Sequence, residues 1–125
     1  MPTKMWTASQ VEELTDGEEL VLVLTGEDQP TLRVIVWPVT VAGVAYIRSY
    51  RGATSGWYRR VLAQPHQAIA LGAVDVPVEF ELVPATEPVN SDISAAFVRK
   101  YANDDYRDAN ITPTALDATL RILPC

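Results

Sequence analysis

Residues 44–63, VAYIRSYRGATSGWYRRVLA, read as a strand, a glycine turn and a short helix set end to end. Valine, isoleucine and tyrosine crowd the opening positions, and such side chains suit a pleated, half-buried surface. Alternation places Tyr46, Arg48 and Tyr50 on one face and Ala45, Ile47 and Ser49 on the other. Arg51-Gly52 then turns the chain, and Thr54 or Ser55 supplies the N-cap of a helix over about residues 56–63. Trp57, Tyr58, Val61 and Leu62 form its apolar stripe, with Arg59 pointing away and Arg60 on the border.

Working outward, residues 31–41 form a second apolar, β-rich run, joined to residues 44–50 as a hairpin around Ala42-Gly43. Residues 19–25 read as an earlier strand, and Gly26-Glu27-Asp28-Gln29-Pro30 as the turn after it. Thr7 and Ser9 each stand three residues before Gln10 and Glu12, the spacing of reciprocal capping. That predicts a first helix to about Leu14, ended by Asp16-Gly17. Downstream, Gln64-Pro65 stops the central helix, residues 68–72 and 74–83 are strands, and Pro77 marks an edge or bulged position. Ser91 is expected to cap a helix over residues 92–102, with Ile93, Ala96, Phe97 and Tyr101 inward; Asp92 and Arg99-Lys100 suit its macrodipole. Residues 103–113 read as a polar loop and residues 115–123 as the last strand. Six strands and three short helices, linked by hairpins rather than βαβ units, predict a mainly β fold with short helices. The expected unit is one domain over residues 1–125 built as a small barrel.

The formal net charge of −6 argues against a general polyanion binder, and so against nucleic acid as a partner. The charge is segregated, however. Residues 1–28 hold seven acids against one lysine, and residues 75–125 hold nine acids against four bases. Between Asp28 and Asp75 there is no acid, while Arg33, Arg48, Arg51, Arg59 and Arg60 are all there. Surfaces that only need solvation mix both signs. One cysteine, Cys125, excludes an intramolecular disulfide and a cysteine-based metal cluster, and one histidine, His66, removes histidine-rich metal sites. No metal site is expected. No signal-peptide pattern opens the chain, and the longest apolar run, residues 34–47, is interrupted and shorter than the ~20 residues of a membrane helix. A cytoplasmic protein with no membrane partner is therefore expected.

Within residues 48–60, four arginines, the hydroxyls of Ser49, Thr54 and Ser55, the rings of Tyr50, Trp57 and Tyr58, and Gly52 and Gly56 occur without an acid. A helix start offers unpaired N–H groups, glycines let backbone approach closely, and guanidinium forks match phosphate or carboxylate oxygens. The rings offer a flat surface for an aromatic ligand, although Trp57 and Tyr58 equally suit the core side of a short helix. Arg48, in mid-strand where an unpaired charge is costly, needs either a ligand or a partner. Trp37, followed by Pro38, reads as core or interface.

The strings Ala45-Tyr46-Ile47-Arg48-Ser49-Tyr50-Arg51-Gly52 and Ser55-Gly56-Trp57-Tyr58 resemble a bacterial family of unknown function. So do Val78-Glu79-Phe80-Glu81, Asp92-Ile93, Ala96-Phe97-Val98-Arg99-Lys100-Tyr101 and Ala118-Thr119-Leu120-Arg121, in order through most of the chain from Thr31. The family is similar to the FMN-binding split β-barrel superfamily, akin to deazaflavin-dependent nitroreductases and pyridoxamine-phosphate oxidases. The resemblance implies a six-stranded split β-barrel, a homodimer, and FMN or a deazaflavin coenzyme in a groove at the subunit interface. It also implies that Arg48, Ser49, Arg51 and Ser55 hold the cofactor phosphate while Tyr50, Trp57 and Tyr58 border the ring. The chain departs from deazaflavin-dependent relatives after its first strand. Where they are basic, it carries Thr25-Gly26-Glu27-Asp28-Gln29, whose carboxylates repel a phosphate.

Two functions follow as expectations. One is a flavin- or deazaflavin-dependent oxidoreductase of nitroreductase type, in which the cofactor supplies the hydride chemistry and the protein positions it. The other is a non-enzymatic split-barrel module that binds a small anionic or aromatic ligand.

Overall fold

The computed structural model describes residues 5–26, 28–102 and 110–125, without the side chain of Ala53. Its elements run α1 (Ala8–Asp16), β1 (Leu20–Gly26), β2 (Gln29–Val36), β3 (Val39–Val41), β4 (Val44–Arg48), α2 (Gly56–Ala63), β5 (His66–Leu71), β6 (Val74–Val83), α3 (Val89–Lys100), α4 (Pro113–Leu116) and β7 (Thr119–Pro124). The strands form one curled antiparallel sheet in the order β2-β1-β5-β6-β7-β4-β3.

Seven strands stand where six were expected, because the run over residues 31–41 divides at Trp37-Pro38. Proline has no N–H for a ladder and restricts the residue before it. The two halves then serve different neighbours: β2 pairs with β1 from Leu20↔Val36 to Gly26↔Gln29, whereas β3 pairs with β4. The expected hairpin around Ala42-Gly43 survives as β3–β4 alone, with positive φ at both turn residues (51° and 80°).

Helix boundaries follow local hydrogen bonding. Thr7 and Gln10 form the predicted reciprocal cap of α1, which continues to Asp16 and ends at Gly17. Ser91 does not cap α3. The helix starts at Val89 behind Pro88, whose fixed φ presets the first turn, and it ends at Lys100 rather than Ala102. Thr112 caps the short α4, with Pro113 at its first position, so the last strand begins at Thr119 instead of Ala115. Pro77 lies within β6 opposite Ala68, one residue past the end of the β7 ladder at Val78↔Pro124, a ladder-end position that tolerates its missing N–H. The polar loop expected at residues 103–113 lies outside the described residues over 103–109, as does Glu27 of the Gly26–Gln29 turn.

The curl encloses a core of Leu22, Leu24, Ile47, Ile69, Leu120 and Ile122, into which α2 lowers Tyr58 and Val61. A second cluster, Val39, Tyr46, Val83, Ile93 and Phe97, seals α3 against the opposite face of β3 and β4. β4 is thus buried on both sides, with Ala45 and Ile47 toward one cluster and Tyr46 toward the other, as the alternation predicted.

Lys100 ties α3 to the sheet by donating from Nζ to Leu14 O (3.0 Å) and Pro38 O (2.7 Å). Desolvation lowers its pKa from 10.5 to about 8, against an opposing pull from Asp16. Between those values the unfolded chain holds a proton that the folded chain has lost, so the Lys100 contribution to stability rises with pH across that window. Urea unfolding of wild type and Lys100→Met is expected to show their stability difference moving in favour of wild type from about pH 8 to pH 10.5. A difference that stays flat contradicts this.

Candidate functional site

β4 stops at Arg48 because the next residue turns on itself: Ser49 N donates to Ala118 O (3.0 Å), Ser49 Oγ donates to Gly52 O (2.9 Å), and Gly52 N donates to Ser49 O (2.9 Å). Gly52 has φ 76°, and a Cβ there would lie 2.6 Å from Thr114 Cγ2, so the turn demands glycine. Tyr50 and Arg51 are thrown to the surface, with the Arg51 guanidinium 5.6 Å from the Tyr50 ring centroid. A 3-10 turn (Gly52–Thr54) leads into α2, where Ser55 is the N-cap residue but makes no side-chain capping bond.

Two cavities flank the start of α2. The smaller, about 310 Å³, is walled by Trp37, Tyr50 and Trp57, with Ile35, Val36, Arg48 and Asn110 completing it. The larger, about 670 Å³, is bounded by Gly26, Gln29 and Leu32 from β1 and β2 and by Gly56, Arg59 and Arg60 from α2. Gly56 and Trp57, consecutive in α2, line one cavity each, and neither lining contains an acid among the described residues. Arg60 donates from Nε to Gln29 Oε1 (2.8 Å) and from Nη2 to Pro30 O (3.0 Å), clamping α2 to the β1–β2 tip. A Cβ at Gly26 would come within 2.8 Å of the clamp's Gln29 Oε1.

Arg48 is only 3 % exposed. Its Nε donates to Thr119 Oγ1 (2.9 Å), its Nη1 to Ser94 Oγ (2.8 Å) and Asn110 O (3.0 Å), and its Nη2 to Asn90 O (3.2 Å) and Oδ1 (3.1 Å). A guanidinium has five N–H donors, so every one is spent on a neutral acceptor. Phe97 lies beside it, with the ring centroid 5.6 Å from Cζ. Burial lowers its pKa to about 10, still well above neutrality, so the group remains charged. Asn90 is itself fixed by donation to Pro84 O (2.8 Å).

The expected site residues therefore divide. Arg48, Tyr50 and Trp57 meet at the smaller cavity. Ser49 is buried with its hydroxyl engaged, and Tyr58 is a core side chain. Arg51 and Ser55 line neither cavity. Arg59 and Arg60, expected away from the apolar stripe of α2 and at its border, line the larger one. Trp37 is a cavity wall as well as a packing residue, stacked on Tyr101 at 4.3 Å between centroids. Asn90, Ser94, Asn110 and Thr119 were not singled out from sequence; nothing local marks them.

A curled antiparallel sheet with a helix closing its mouth and a ligand-sized groove beside that helix is the split β-barrel architecture. Residues 10–122 match a family model described as uncharacterized protein conserved in bacteria (DUF2255), and the chain belongs to that family. Its structure is similar to an F420-H2 dependent reductase, FDR-A (TM-score 0.63, 17 % identity, 86 % of this chain and 95 % of that one). It is also similar to a Listeria innocua protein provisionally assigned as a pyridoxamine 5'-phosphate oxidase (TM-score 0.62, 13 %, 92 % and 88 %) and to an FAD-binding protein from Mesorhizobium loti (0.61, 15 %, 96 % and 91 %). These likenesses establish the mainly β split-barrel fold expected from the sequence. A search of curated proteins finds none that matches. Among the described residues, no helix is long and apolar enough to cross a membrane and no cluster of metal-ligating side chains occurs.

Arg48→Ala is expected to cost about 3 kcal/mol or more in urea unfolding, since it strips several buried acceptors of their donor. Arg48→Lys should recover little of this, because an ammonium cannot span the positions that the planar fork reaches. Loss below about 1 kcal/mol for Arg48→Ala would show the network to be dispensable.

Proposed function

We propose that this protein binds a flavin- or deazaflavin-type cofactor and acts as an oxidoreductase, with the ring against Trp37, Tyr50 and Trp57 and the anionic tail toward Arg59 and the start of α2. What carries this is the pair of cavities flanking the start of α2, one walled by aromatic rings and the other by guanidinium groups, neither with an acid among its described lining residues. The aromatic walls fit a planar heterocycle. The phosphate role expected of Arg48 and Ser49 moves, because their donors are already engaged, while Arg59 makes no side-chain hydrogen bond to a described residue. Arg51 and Ser55 stay in the proposal as residues near the groove that a longer tail reaches. Such a cofactor, when bound, supplies hydride chemistry; the chain's own residues hold its ring, exclude water from one face and neutralise its tail.

Ile35 and Tyr50, at 62 % and 55 % exposure, leave apolar surface beside the smaller cavity, and 310 Å³ is tight for a three-ring heterocycle with its side chain. We therefore take the working unit to be a homodimer in which a second copy covers this rim. The second reading, a binding module without turnover, draws on Asp28, whose carboxylate directly precedes the cavity residue Gln29.

Titration with FMN and with a deazaflavin coenzyme, followed by tryptophan quenching and thermal midpoint, is expected to give saturable binding by one of them. Trp57→Ala should weaken it about tenfold, the worth of one aromatic contact. Turnover of a quinone or nitro compound by the reduced complex separates enzyme from module. A midpoint that moves with neither cofactor overturns the flavin reading, and a monomer in light scattering at micromolar concentration overturns the dimer.

A further inference from the structure

We propose that the cavity between Trp37, Tyr50 and Trp57 selects planar aromatic ligands that carry a negative charge delocalised in the ring, and that the buried charge of Arg48 makes this selection through space. This rests on the same cavity being the ligand site, and adds the charge state of what enters it.

Arg48 lines the cavity, is 3 % exposed, and has no acid among the described residues as a partner. Among the described residues the groups around it are neutral: Asn90, Ser94 and Phe97 from α3, Thr119 from β7, and Asn110. Hydrogen bonding satisfies its N–H groups without neutralising it, and a full charge in a low-dielectric setting is felt strongly a few ångströms away. The ligands that gain most are therefore anions.

The same bonding decides which kind of anion. A carboxylate or phosphate concentrates its charge on oxygens that need donors, and Arg48 has none left to give. An anion whose charge is spread over a ring needs no donor from Arg48. It stacks against Tyr50 and Trp57 while lying in the guanidinium field. A phenolate, an enolate conjugated to an arene, and the deprotonated form of a heteroaromatic ring share this chemistry. Tyr50 is the other titratable side chain in the lining, and the exposed Arg51 is the cation packed on its ring.

The probe is 4-nitrophenol, whose absorbance reports its own ionisation, titrated against the full-length protein over a range of pH. The bound phenol is expected to ionise at least about one pH unit below the free phenol, equivalent to phenolate binding about tenfold more tightly than phenol. Because the responsible charge is buried, the shift should persist in about 0.5 M salt, where a surface arginine such as Arg51 is screened. Arg48→Gln should abolish the shift and Arg48→Lys retain it; where these variants fail to fold, the salt series on the wild type decides. Equal affinity for the two forms overturns the proposal, as does a shift that vanishes with salt or one kept by folded Arg48→Gln. No phenolate binding at about millimolar concentration does the same. FMN bound without phenolate preference removes this inference and leaves the flavin reading standing. Phenolate preference without flavin binding does the reverse.

Discussion

A guanidinium held inside the protein, with only neutral partners among the described residues, is the constraint on which the rest of this structure depends. Burying a charge without a counter-charge is expensive, and Arg48 is tolerated only because its full donor set is met. The acceptors come from α3, from β7 and from Asn110, which lie 42 to 71 residues away in sequence. An apolar side chain of equal volume would fill the space but fix none of these partners in position. The fork sets them all together: α3 is pinned through Asn90 and Ser94, and Thr119 anchors the first residue of β7 beside the last residue of β4.

From that anchor the shape of the groove follows locally. The β4–β7 ladder ends at Arg48↔Thr119, the Ser49 hydroxyl closes a turn on Gly52, and Gly52 packs against Thr114 of α4. Tyr50 is left outside this tight knot and Trp57 enters at the first turn of α2, so the two rings face the cavity from either side of the turn. Trp37 reaches the same space because Pro38 ends β2 one residue earlier, and its other face is held by Tyr101. Tyr101 is in turn fixed by its hydroxyl, whose one hydrogen lies between Glu18 O and Pro38 O. The aromatic walls are thus set by backbone geometry and core packing, which is the kind of preorganisation a binding surface needs.

Local signals were legible in the sequence, and non-local ones were not. The Thr7–Gln10 cap, the Ala42-Gly43 turn and the two faces of β4 depend on neighbours a few residues apart, and each was read correctly. The split at Pro38 was missed because β-branched residues continue on both sides of it. What separates β2 from β3 is their choice of pairing partners, and no short-range pattern encodes that. Ser91 does not cap because it lies inside the first turn of α3, which begins at Val89 behind Pro88 with its backbone already helical. At the site, an arginine in mid-strand was recognisably anomalous, but its partners are asparagines, a serine and a threonine. Their types occur throughout any surface, so only the fold distinguishes them.

The acid-free stretch between Asp28 and Asp75 acquires a sharper meaning in three dimensions. Where Arg33 of this stretch reaches the outer surface it meets Asp75 at 3.5 Å, and Arg121 beside Glu81 is paired in the same way on β7. Exposed pairs of this sort are nearly neutral in effect. Around the start of α2 no such compensation is found among the described residues: Arg59 and Arg60 face the larger cavity and Arg48 the smaller, and neither lining includes a carboxylate. A protein of net charge −6 thus gathers Arg48, Arg59 and Arg60 around the start of α2. The acidic remainder sets long-range repulsion, while the groove sets what is favoured at contact, because screening removes the first within about 10 Å and burial protects the second. In the proposed reading, approach and selection are governed by charges of opposite sign: an aromatic anion that reaches this groove is held there by ring stacking and by the field of Arg48.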